Sequence, residues 1–406
     1  MEMTDMRALA RELYDAAVRA ADPGPAVGRW LSENFHRTSG RLVVLGLGKA
    51  APAMVRAALG EVQADHAVCV TNAENKTDIA GVDVIIGGHP VPDAGSAAAG
   101  QALMGAVSDL GAEDQVLVLI SGGGSALAVA PVDGVSADQK ADVSRQLLAS
   151  GLDINQMNLV RQNLSRLKGG GLARAAAPAQ VTALILSDVI GDDLSIVASG
   201  PTTKAAGSAM DAQEVLKNAG FLADMPHAVI KALTSGKATV AQNADNHLIG
   251  SNRVSLEAME TAHPGAIIVD DALTGDVSDA SDRIVAAAAR GPGVYLFGGE
   301  TTVQIKGDGR GGRNQELAVR VAMKAGQIRQ PWVFLSGGTD GRDGPTDAAG
   351  GLVDPGSLTR MRSAGADPDA LLANNDSFAA LGASNDLLMT GGTGTNVADV
   401  QVLIVG

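Results

Sequence analysis

The stretch Val116-Leu-Val-Leu-Ile-Ser-Gly-Gly-Gly-Ser125 decides the fold class. Five apolar residues in a row suit a strand that is buried on both faces, as the strands of a parallel sheet are. Similar runs end at Gly46-Leu-Gly-Lys49, Gly298-Gly-Glu300 and Ser336-Gly-Gly-Thr-Asp340. Glycine at the carboxyl end of a strand lets backbone N–H groups surround an anion, and Lys49 adds positive charge. These strand ends predict a small phosphorylated ligand.

Strands and amphipathic helices alternate along the chain, beginning with a helix at Met6–Ala20, which predicts a doubly wound α/β fold. We expect two α/β/α domains, residues 1–235 and 236–406. In the second, Val303–Lys306 is predicted as a strand. The last predicted strand, Gln401–Val405, either closes the second sheet or returns to the first domain.

Composition excludes several classes of function. The net charge is −14 and only 2% of the residues are aromatic, which argues against a nucleic-acid partner. The single cysteine, Cys69, lies in an apolar run and is expected to be buried in a core. The sequence contains no stretch of about 20 apolar residues, the length that spans a membrane. We therefore expect no membrane partner and a cytoplasmic location.

The turn Gly46-Leu-Gly-Lys-Ala-Ala51 matches the relaxed dinucleotide pattern G-x-G-x-x-A. A nicotinamide enzyme also needs an acidic residue after the next strand, but that strand ends in Val70-Thr-Asn72 and Glu74 comes late. An ammonium inside the turn, at Lys49, favours phosphate binding. Dinucleotide binding and a simple tight turn remain as alternatives. Lys49 and Lys237 are both followed by alanine, so neither belongs to a P-loop.

The glycine loop after the next long strand predicts an anion nest rather than a serine hydrolase, although a sharp turn is the simpler alternative. Its residues are Ser121, Gly122, Gly123, Gly124 and Ser125. His89, in a proline-rich loop, either contacts substrate or only bonds the turn. Arg161 and Lys168 flank the end of a predicted helix, where cations are favourable in themselves. Their position beside three glycines also suits a carboxylate or a phosphate.

Acidic residues mark candidate catalytic and metal positions. Asp188 ends a buried strand, which suits a general base or a metal ligand. Asp192 follows it as a candidate metal ligand, for which a helix cap is the alternative. Asp340 and Asp343 lie in a loop that suits Mg²⁺ beside phosphates, or only a turn. A second G-x-G-x-x-G follows at Gly307–Gly312, just before Arg313. The residues that suit nucleotide phosphates here are Glu300, Gly309, Gly311, Gly312 and Asn314.

Taken in order, the chain carries the motifs GLGKAA, GGHPVPDAGS, SGGGSAL, RLKGGGLA, LSDVIGDD, FGGETTV, GRGGRNQE and GGTDGRDGPTDAAG. This series resembles the glycerate 2-kinase family, which is also known for its MOFRL domain and was once catalogued as hydroxypyruvate reductases. The resemblance implies a Rossmann-like N-terminal domain and a MOFRL-type C-terminal domain, with the active site in the cleft between them. It also implies ATP- and Mg²⁺-dependent phosphorylation of D-glycerate to 2-phosphoglycerate.

The family's catalytic lysine and arginine correspond to Lys49 and Arg313. As hypotheses, Asp188 receives the proton of the C2 hydroxyl, and the nest of residues 121–125 with Lys49 holds glycerate and the incoming phosphoryl group. Arg313 and the 307–312 loop grip ATP with Mg²⁺. A monomer or a homodimer is expected. The rival functions are an NAD(P)H-dependent hydroxypyruvate reductase and a non-catalytic nucleotide or sugar-acid sensor.

Overall fold

The structure, a computed structural model, describes residues 1–235 and 244–406. The chain forms two compact units. The N-terminal unit comprises Pro23–Ser187 and Asp193–Ile249. The C-terminal unit comprises Met1–Asp22, Asp188–Asp192 and Gly250–Gly406. Each unit is built around its own sheet, which confirms the predicted α/β fold class.

The strands, in chain order, are β1 Leu42–Leu47, β2 His66–Thr71, β3 Asp83–Ile86, β4 Gln115–Ile120, β5 Gln180–Leu186, β6 Ala244–Gly250, β7 Ile267–Asp270, β8 Gly275–Asp276, β9 Gly293–Gly299, β10 Thr301–Thr302, β11 Trp332–Gly338, β12 Gly350–Val353, β13 Leu387–Leu388 and β14 Asp399–Val405. The helices of the first half are α1 Met3–Ala20, α2 Pro23–Asn34, α3 Ala51–Glu61, α4 Ala94–Ala106, α5 Gly124–Leu127, α6 Ala137–Ala149, α7 Ile154–Asn163, α8 Gly171–Ala176, α9 Ala209–Asn218 and α10 His227–Ser235. Those of the second half are α11 Asn252–Ala262, α12 Val277–Ala287, α13 Arg313–Lys324, α14 Ser357–Ser363, α15 Pro368–Ala373 and α16 Ser377–Ser384.

The sheet of the N-terminal unit has the order β3-β2-β1-β4-β5-β6. From β3 to β5 the neighbouring strands are parallel, and the register places Leu47 of β1 beside Ile120 of β4. Both strands are buried along their whole length, as their apolar runs predict. The strand order reverses between β1 and β4, and open α/β sheets bind ligands outside the carboxyl ends of the strands at such a point. The turns after β1 and β4 therefore lie where a ligand is expected.

The sheet of the C-terminal unit has the order β13-β12-β11-β14-β9-β7 and is mixed. The last strand, β14, lies between β9 and β11 and runs antiparallel to both. Of the two alternatives for this strand, return to the first domain is therefore wrong. Its alternate residues Val402 and Ile404 pack into a buried cluster that also holds Leu335 of β11, so the sheet needs β14 to close its core.

Helix α1 packs in the C-terminal unit although it begins the chain. Its buried face contributes Met6, Leu13 and Tyr14 to the same apolar cluster as Leu335 and Val402. Arg7 adds hydrogen-bonded ion pairs to two carboxylates of that unit, one of them on Asp354, 347 residues away. Strand β6, in turn, belongs to the N-terminal sheet. The units therefore differ from the predicted bounds of 1–235 and 236–406 at both places.

Two further features depart from the sequence prediction. Val303–Lys306 forms no strand, and only Thr301–Thr302 pairs, with β8. The alternation of apolar and polar residues in this segment is misleading, because Ile305 is 81% exposed and does not pack against a sheet. Cys69, by contrast, is buried as predicted, and burial raises the pKa of its thiol to about 12. Over the described ranges, no helix is both long and apolar enough to cross a membrane.

Candidate active site

The turns that follow β1 and β4 are joined by hydrogen bonds. The Lys49 N–H donates to the carbonyl of Gly122 at 2.9 Å, and the Ala50 N–H donates to Ser121 Oγ at 3.0 Å. Gly48 has a φ of +134°, and a Cβ there would come within 2.2 Å of Ser121 Oγ. Only glycine permits this approach. The two turns therefore form one rigid structure at the edge of the sheet.

The same bonds decide between the interpretations of the Gly46–Ala51 turn. The N–H of Gly48 donates to Val70 O at 3.1 Å, so the amides of Gly48, Lys49 and Ala50 all have acceptors within the protein. A pyrophosphate bound by the dinucleotide pattern needs free amides at this place. The expectation that this turn's amides surround an anion is therefore wrong. The Lys49 side chain is half-buried and forms no ion pair with any carboxylate in the described part of the chain.

In the loop after β4, by contrast, the backbone N–H groups remain available to a ligand. Within residues 1–235 and 244–406, the N–H groups of Gly122, Gly123, Gly124 and Ser125 have no acceptor. Gly123 has a φ of +83°, and a Cβ there would lie 3.2 Å from Lys49 Cγ and 3.3 Å from His89 Cδ2. Successive backbone amides around a left-handed residue can form an anion nest. We call these residues, 122–125, the glycine nest.

His89 flanks the glycine nest as a neutral group. Partial desolvation and the nearby Lys49 ammonium lower the pKa of its imidazole, against a weaker opposite effect of Glu74. A neutral imidazole at pH 7 can donate or accept a hydrogen bond. Of these two side chains, Lys49 therefore carries the positive charge.

Beneath the glycine nest lies a buried lysine. The Lys168 ammonium donates to Ser125 Oγ at 2.6 Å and to Ser125 O at 2.7 Å. Burial, and then the charge of Arg161, lower the pKa of Lys168 to about 7. Arg161 is half-buried, and among the described carboxylates none pairs with its guanidinium. The structure thus brings Lys168 to the nest, and it leaves Arg161 as a cation without a counterion among the described residues.

In the C-terminal unit, Arg313 is held by two carboxylates. Its Nε and Nη2 donate to Asp399 at 2.6 and 3.0 Å, and its Nη1 lies 2.7 Å from Glu300. The sheet explains the arrangement, since Asp399 pairs in register with Gly299, next to Glu300. Burial opposes the charge on Arg313, but Asp399 and Glu300 outweigh it and raise the pKa of the guanidinium. The Asp399 side chain is only 1% exposed.

Carboxylates gather around this arginine. Burial raises the pKa of Glu300, Arg313 opposes the shift, and the charges of Asp399, Asp188 and Asp340 raise it further. In the described ranges, however, no three His, Cys, Asp or Glu side chains are placed to hold a metal ion. Asp192, Asp340 and Asp343 therefore do not come together as the predicted metal site.

Asp343 instead occupies the beginning of α13. Its carboxylate accepts the N–H groups of Asn314, at 3.2 Å, and of Gln315, at 2.8 Å, together with the Gln315 side chain at 3.0 Å. The site predicted for a phosphate at this helix N-terminus is thus filled by a carboxylate of the protein itself. Burial raises the pKa of Asp343 to about 6, although the Gln315 amide opposes the shift.

The 307–312 loop also uses most of its amides internally. The N–H of Gly307 donates to Asn375 Oδ1, that of Gly309 to Asn374 O, and that of Arg310 to Asp376 Oδ1. The expectation that this loop grips phosphates through its amides is wrong for Gly309. Asn314 is 1% exposed and its Oδ1 accepts from the Ser336 hydroxyl, so its side chain supports β11. Gly311 and Gly312 pack closely against Ser377 and Asp343.

Comparison with known proteins decides the family. A family model described as a domain of unknown function, DUF4147, matches residues 9–234, and the MOFRL family model matches residues 293–399. The D-glycerate 2-kinase of Thermotoga maritima is 37% identical over 418 residues, which cover 99% of this chain and 98% of that protein. The chain belongs to the glycerate 2-kinase family. A relative from Agrobacterium vitis, 40% identical over 98% of this chain and 94% of its own length, bears the provisional name hydroxypyruvate reductase.

Solved structures agree with membership of the glycerate 2-kinase family. The crystal structure of the Thermotoga maritima glycerate kinase matches with a TM-score of 0.93 at 35% identity, covering 99% of this chain and 100% of that one. A protein of Pyrococcus horikoshii matches with a TM-score of 0.86 at 34% identity, covering 98% of both chains. The fold described above is therefore that of the glycerate 2-kinase family.

Sequence reasoning about this family member missed three residues beside the predicted ones. Asp399 ends the glycine-rich stretch that begins at Thr390, and the sequence pattern gives it no role in the site, although a polar residue at the start of a buried strand is a recognisable signal. Ser199 contacts Ser125 of the glycine nest, and Asn158 contacts Ser199. Ser199 lies in the motif Ala198-Ser-Gly-Pro-Thr202 and Asn158 begins the stretch that leads to Arg161 and Lys168, but neither pattern gives these two residues a role. Only their pairing in three dimensions identifies them, because they lie 41 residues apart in the chain.

Close packing of the two turns leads to a test by substitution. Gly48→Ala is expected to lower the free energy of unfolding by at least about 3 kcal/mol, because the new Cβ meets Ser121 in addition to the strain of positive φ. Gly81→Ala is the matched control, since its φ is +75° and nothing lies within 4 Å of its Cβ. It should cost about 1 kcal/mol, the penalty of positive φ alone. Equal losses in urea unfolding would contradict the close approach of the turns.

Proposed function

We propose that this chain is a glycerate 2-kinase that transfers the γ-phosphoryl group of ATP to the C2 hydroxyl of D-glycerate, giving 2-phosphoglycerate and ADP. The observation that carries the proposal is the full-length relationship to a protein named D-glycerate 2-kinase. The geometry supports it through the glycine nest, whose amides lack acceptors among the described residues and adjoin Lys49. Phosphoryl transfer asks mainly for alignment and charge neutralisation, which amides and cations supply.

In this proposal the N-terminal unit binds the anionic acceptor and the migrating phosphoryl group. The glycine nest and Lys49 neutralise the phosphoryl oxygens, and the neutral His89 beside them donates or accepts one hydrogen bond. Arg161 has no counterion in the described ranges, so a substrate carboxylate would offset the free-energy cost of burying its charge. Lys168 supports the nest from below through Ser125.

Arg313 is the side chain that we propose for the phosphates of ATP. Its guanidinium has five N–H donors, of which Asp399 and Glu300 engage three. The fixed orientation leaves the other donors to the phosphates of ATP, where a planar guanidinium is well suited. Asp399 and Glu300 thus serve as positioning residues for Arg313.

Mg²⁺ fits the residues near Arg313. It is usually bound by one or two carboxylates together with substrate phosphates, rather than by a site made of protein ligands alone. Asp188, Asp340 and Glu300 lie close enough for the first two to raise the pKa of the third, so such oxygen donors are present. When bound with ATP, the ion would neutralise charge on the phosphates. Asp188 is also our candidate to accept the proton of the C2 hydroxyl as that oxygen attacks the γ-phosphorus and ADP leaves.

The competing function is reduction of hydroxypyruvate, which the Agrobacterium vitis relative's name suggests for that protein. The order of the N-terminal sheet is also that of dinucleotide-binding folds. Against it, β2 is followed by Asn72 instead of an acid, and the amides that a pyrophosphate needs are bonded within the protein. These observations favour the kinase.

The purified chain with D-glycerate, ATP and Mg²⁺ should release ADP at a rate that depends on D-glycerate. In a parallel assay with hydroxypyruvate it should leave NADH and NADPH unoxidised. Oxidation of either cofactor without ADP release would replace the kinase by the reductase. Binding of ATP or glycerate without turnover in either assay would instead support the sensor.

A further inference from the structure

A continuous hydrogen-bonded chain runs away from the glycine nest. Lys168 Nζ lies 2.6 Å from Ser125 Oγ, Ser125 Oγ lies 2.9 Å from Ser199 Oγ, and Ser199 Oγ lies 3.2 Å from Asn158 Oδ1. Three of its four members are almost excluded from solvent, since Lys168 is 3%, Ser199 1% and Asn158 5% exposed. Buried polar chains of this kind are costly unless each member has its partner, so their arrangement is specific.

The donors and acceptors that each side chain offers fix the direction of every hydrogen bond in this series. An ammonium can only donate, so Lys168 donates to Ser125. Asn158 Oδ1 can only accept, so the single hydroxyl proton of Ser199 points to it. Ser199 Oγ must then accept, and the Ser125 hydroxyl donates to it. With Lys168 charged, every donor therefore points away from the lysine, and the Asn158 amide oxygen is fixed in place by Ser199.

Fixing the amide oxygen also fixes the amide nitrogen. Asn158 Nδ2 has no acceptor among the residues that the structure describes, although the residue is 95% buried. Asn158 and Arg161 are three residues apart on α7 and so lie on the same side of that helix. An amide donor of a largely buried residue is thus presented near the glycine nest and near the Arg161 guanidinium, which has no counterion among the described residues.

The backbone at Ser199 is unusual as well. Ala198, Ser199 and Gly200 have φ values of +50°, +59° and +62°, so two residues with side chains lie in the left-handed region. Such strain persists only where the surroundings enforce it, and it concentrates at functional sites. Gln162 Nε2 donates to the carbonyl of Ser199 at 3.3 Å and so helps to hold this conformation. The hydroxyl of Ser199 is thereby aimed at Asn158.

We propose that Asn158 is a specificity-determining residue whose Nδ2 donates a hydrogen bond to an oxygen of the bound hydroxy acid, and that Lys168 is a positioning residue acting on it through Ser125 and Ser199. The inference rests on the proposed function, because the oxygen belongs to the acceptor substrate. It adds to that function the selection for a small acid with an acceptor oxygen beside the group that Arg161 binds. A site built around a buried donor strongly rejects ligands that leave the donor unpaired.

The hydrogen-bonded chain from Lys168 to Asn158 also makes substrate binding depend on pH. The charge of Arg161 on α7 acts on Lys168, and the charges of both act on Lys140 of α6. Among the described residues, no carboxylate contributes to the shifts in the pKa of Lys140 or Lys168. The pKa of Lys168 is lowered to about 7 by burial first and Arg161 second. Below that pH the Lys168 ammonium fixes the direction of every hydrogen bond between Lys168 and Asn158. Above it the neutral amine can accept a hydrogen bond from Ser125, and the orientation of the Asn158 amide is then no longer fixed. The KM for D-glycerate should therefore rise as the pH increases from 6 to 8.5.

Two variants test the proposal, with initial rates measured against D-glycerate at saturating ATP and Mg²⁺. Asn158→Asp replaces the amide donor by an acceptor of the same shape and should raise the KM for D-glycerate at least about 30-fold while the KM for ATP stays within about twofold. Asn155→Asp is the matched control, since Asn155 is exposed on the same helix, and it should leave both constants unchanged.

Ser199→Ala removes one hydroxyl of the hydrogen-bonded chain without adding a charge. It should raise the KM for D-glycerate about tenfold at pH 6.5 and remove its dependence on pH between 6 and 8.5. An unchanged KM in folded Asn158→Asp, or a wild-type pH profile in Ser199→Ala, would overturn the proposal. If the wild-type chain shows no glycerate-dependent ADP release, the proposed function itself fails, and with it the substrate on which this inference depends.

Discussion

Replacing Lys49 by methionine should lower kcat by about 10²–10³-fold, the usual effect of removing one group that stabilises charge in a transition state. Methionine keeps a similar length of side chain but removes the ammonium beside Gly123. Since no described carboxylate pairs with Lys49, the folded state should lose no ion pair. The midpoint of urea unfolding is therefore expected to stay the same, and the loss should appear in turnover alone.

Lys217→Met is the control for this variant. Lys217 is exposed on α9 of the same unit, so its substitution tests the general effect of losing a positive charge. Its kcat should stay within about twofold of the wild type. A Lys49→Met enzyme with wild-type turnover would remove this side chain from the reaction.

The second large effect is expected at Arg313. Substitution by alanine should lower kcat by at least about 10³-fold, as loss of an arginine that stabilises phosphoryl transfer does. It should also lower the free energy of unfolding by about 3 kcal/mol, because Asp399 is left buried without its partner. Both kcat and urea unfolding need to be measured, since a damaged fold would otherwise imitate a damaged site.

The double variant Arg313→Ala with Asp399→Asn separates the two effects. Without the arginine, a neutral amide removes the unpaired buried charge, so most of the lost stability should return while kcat stays low. Arg253→Ala provides the comparison for an exposed arginine whose ion pairs, with Glu257 and Asp271, lie at the surface, and it should cost less than about 1 kcal/mol. Recovery of turnover in the double variant would show that Arg313 acts only through stability.

Much of the fold could be predicted from local patterns. Runs such as Val116–Ile120 have the length and the apolar character of strands buried on both faces, and the structure has them there. The position of Lys49 and of the glycine nest at the carboxyl ends of two buried strands also follows from those runs. What local patterns could not show was the partner of each strand. The antiparallel placement of β14 and the packing of α1 depend on contacts between residues more than 60 positions apart.

The candidate site was predictable by residue type but not by hydrogen bonding. Three glycine-rich loops have nearly the same composition, yet they differ in whether their amides are free. Those of Gly48–Ala50 bond to neighbouring strands and loops, and those around Gly309 bond to residues 374–376, whereas the glycine nest keeps its donors. Asp343 shows the same limit, because its carboxylate fills the helix terminus that the sequence pattern assigns to a phosphate. Which acceptor a backbone N–H group finds depends on the tertiary structure and cannot be read from the local sequence.

The most direct test of the account is the identity of the product, measured by phosphorus NMR after the purified chain has acted on D-glycerate with ATP and Mg²⁺. We expect ADP and 2-phosphoglycerate in equal amounts. Formation of 3-phosphoglycerate, or of ADP and inorganic phosphate alone, would contradict transfer of the γ-phosphoryl group to the C2 hydroxyl.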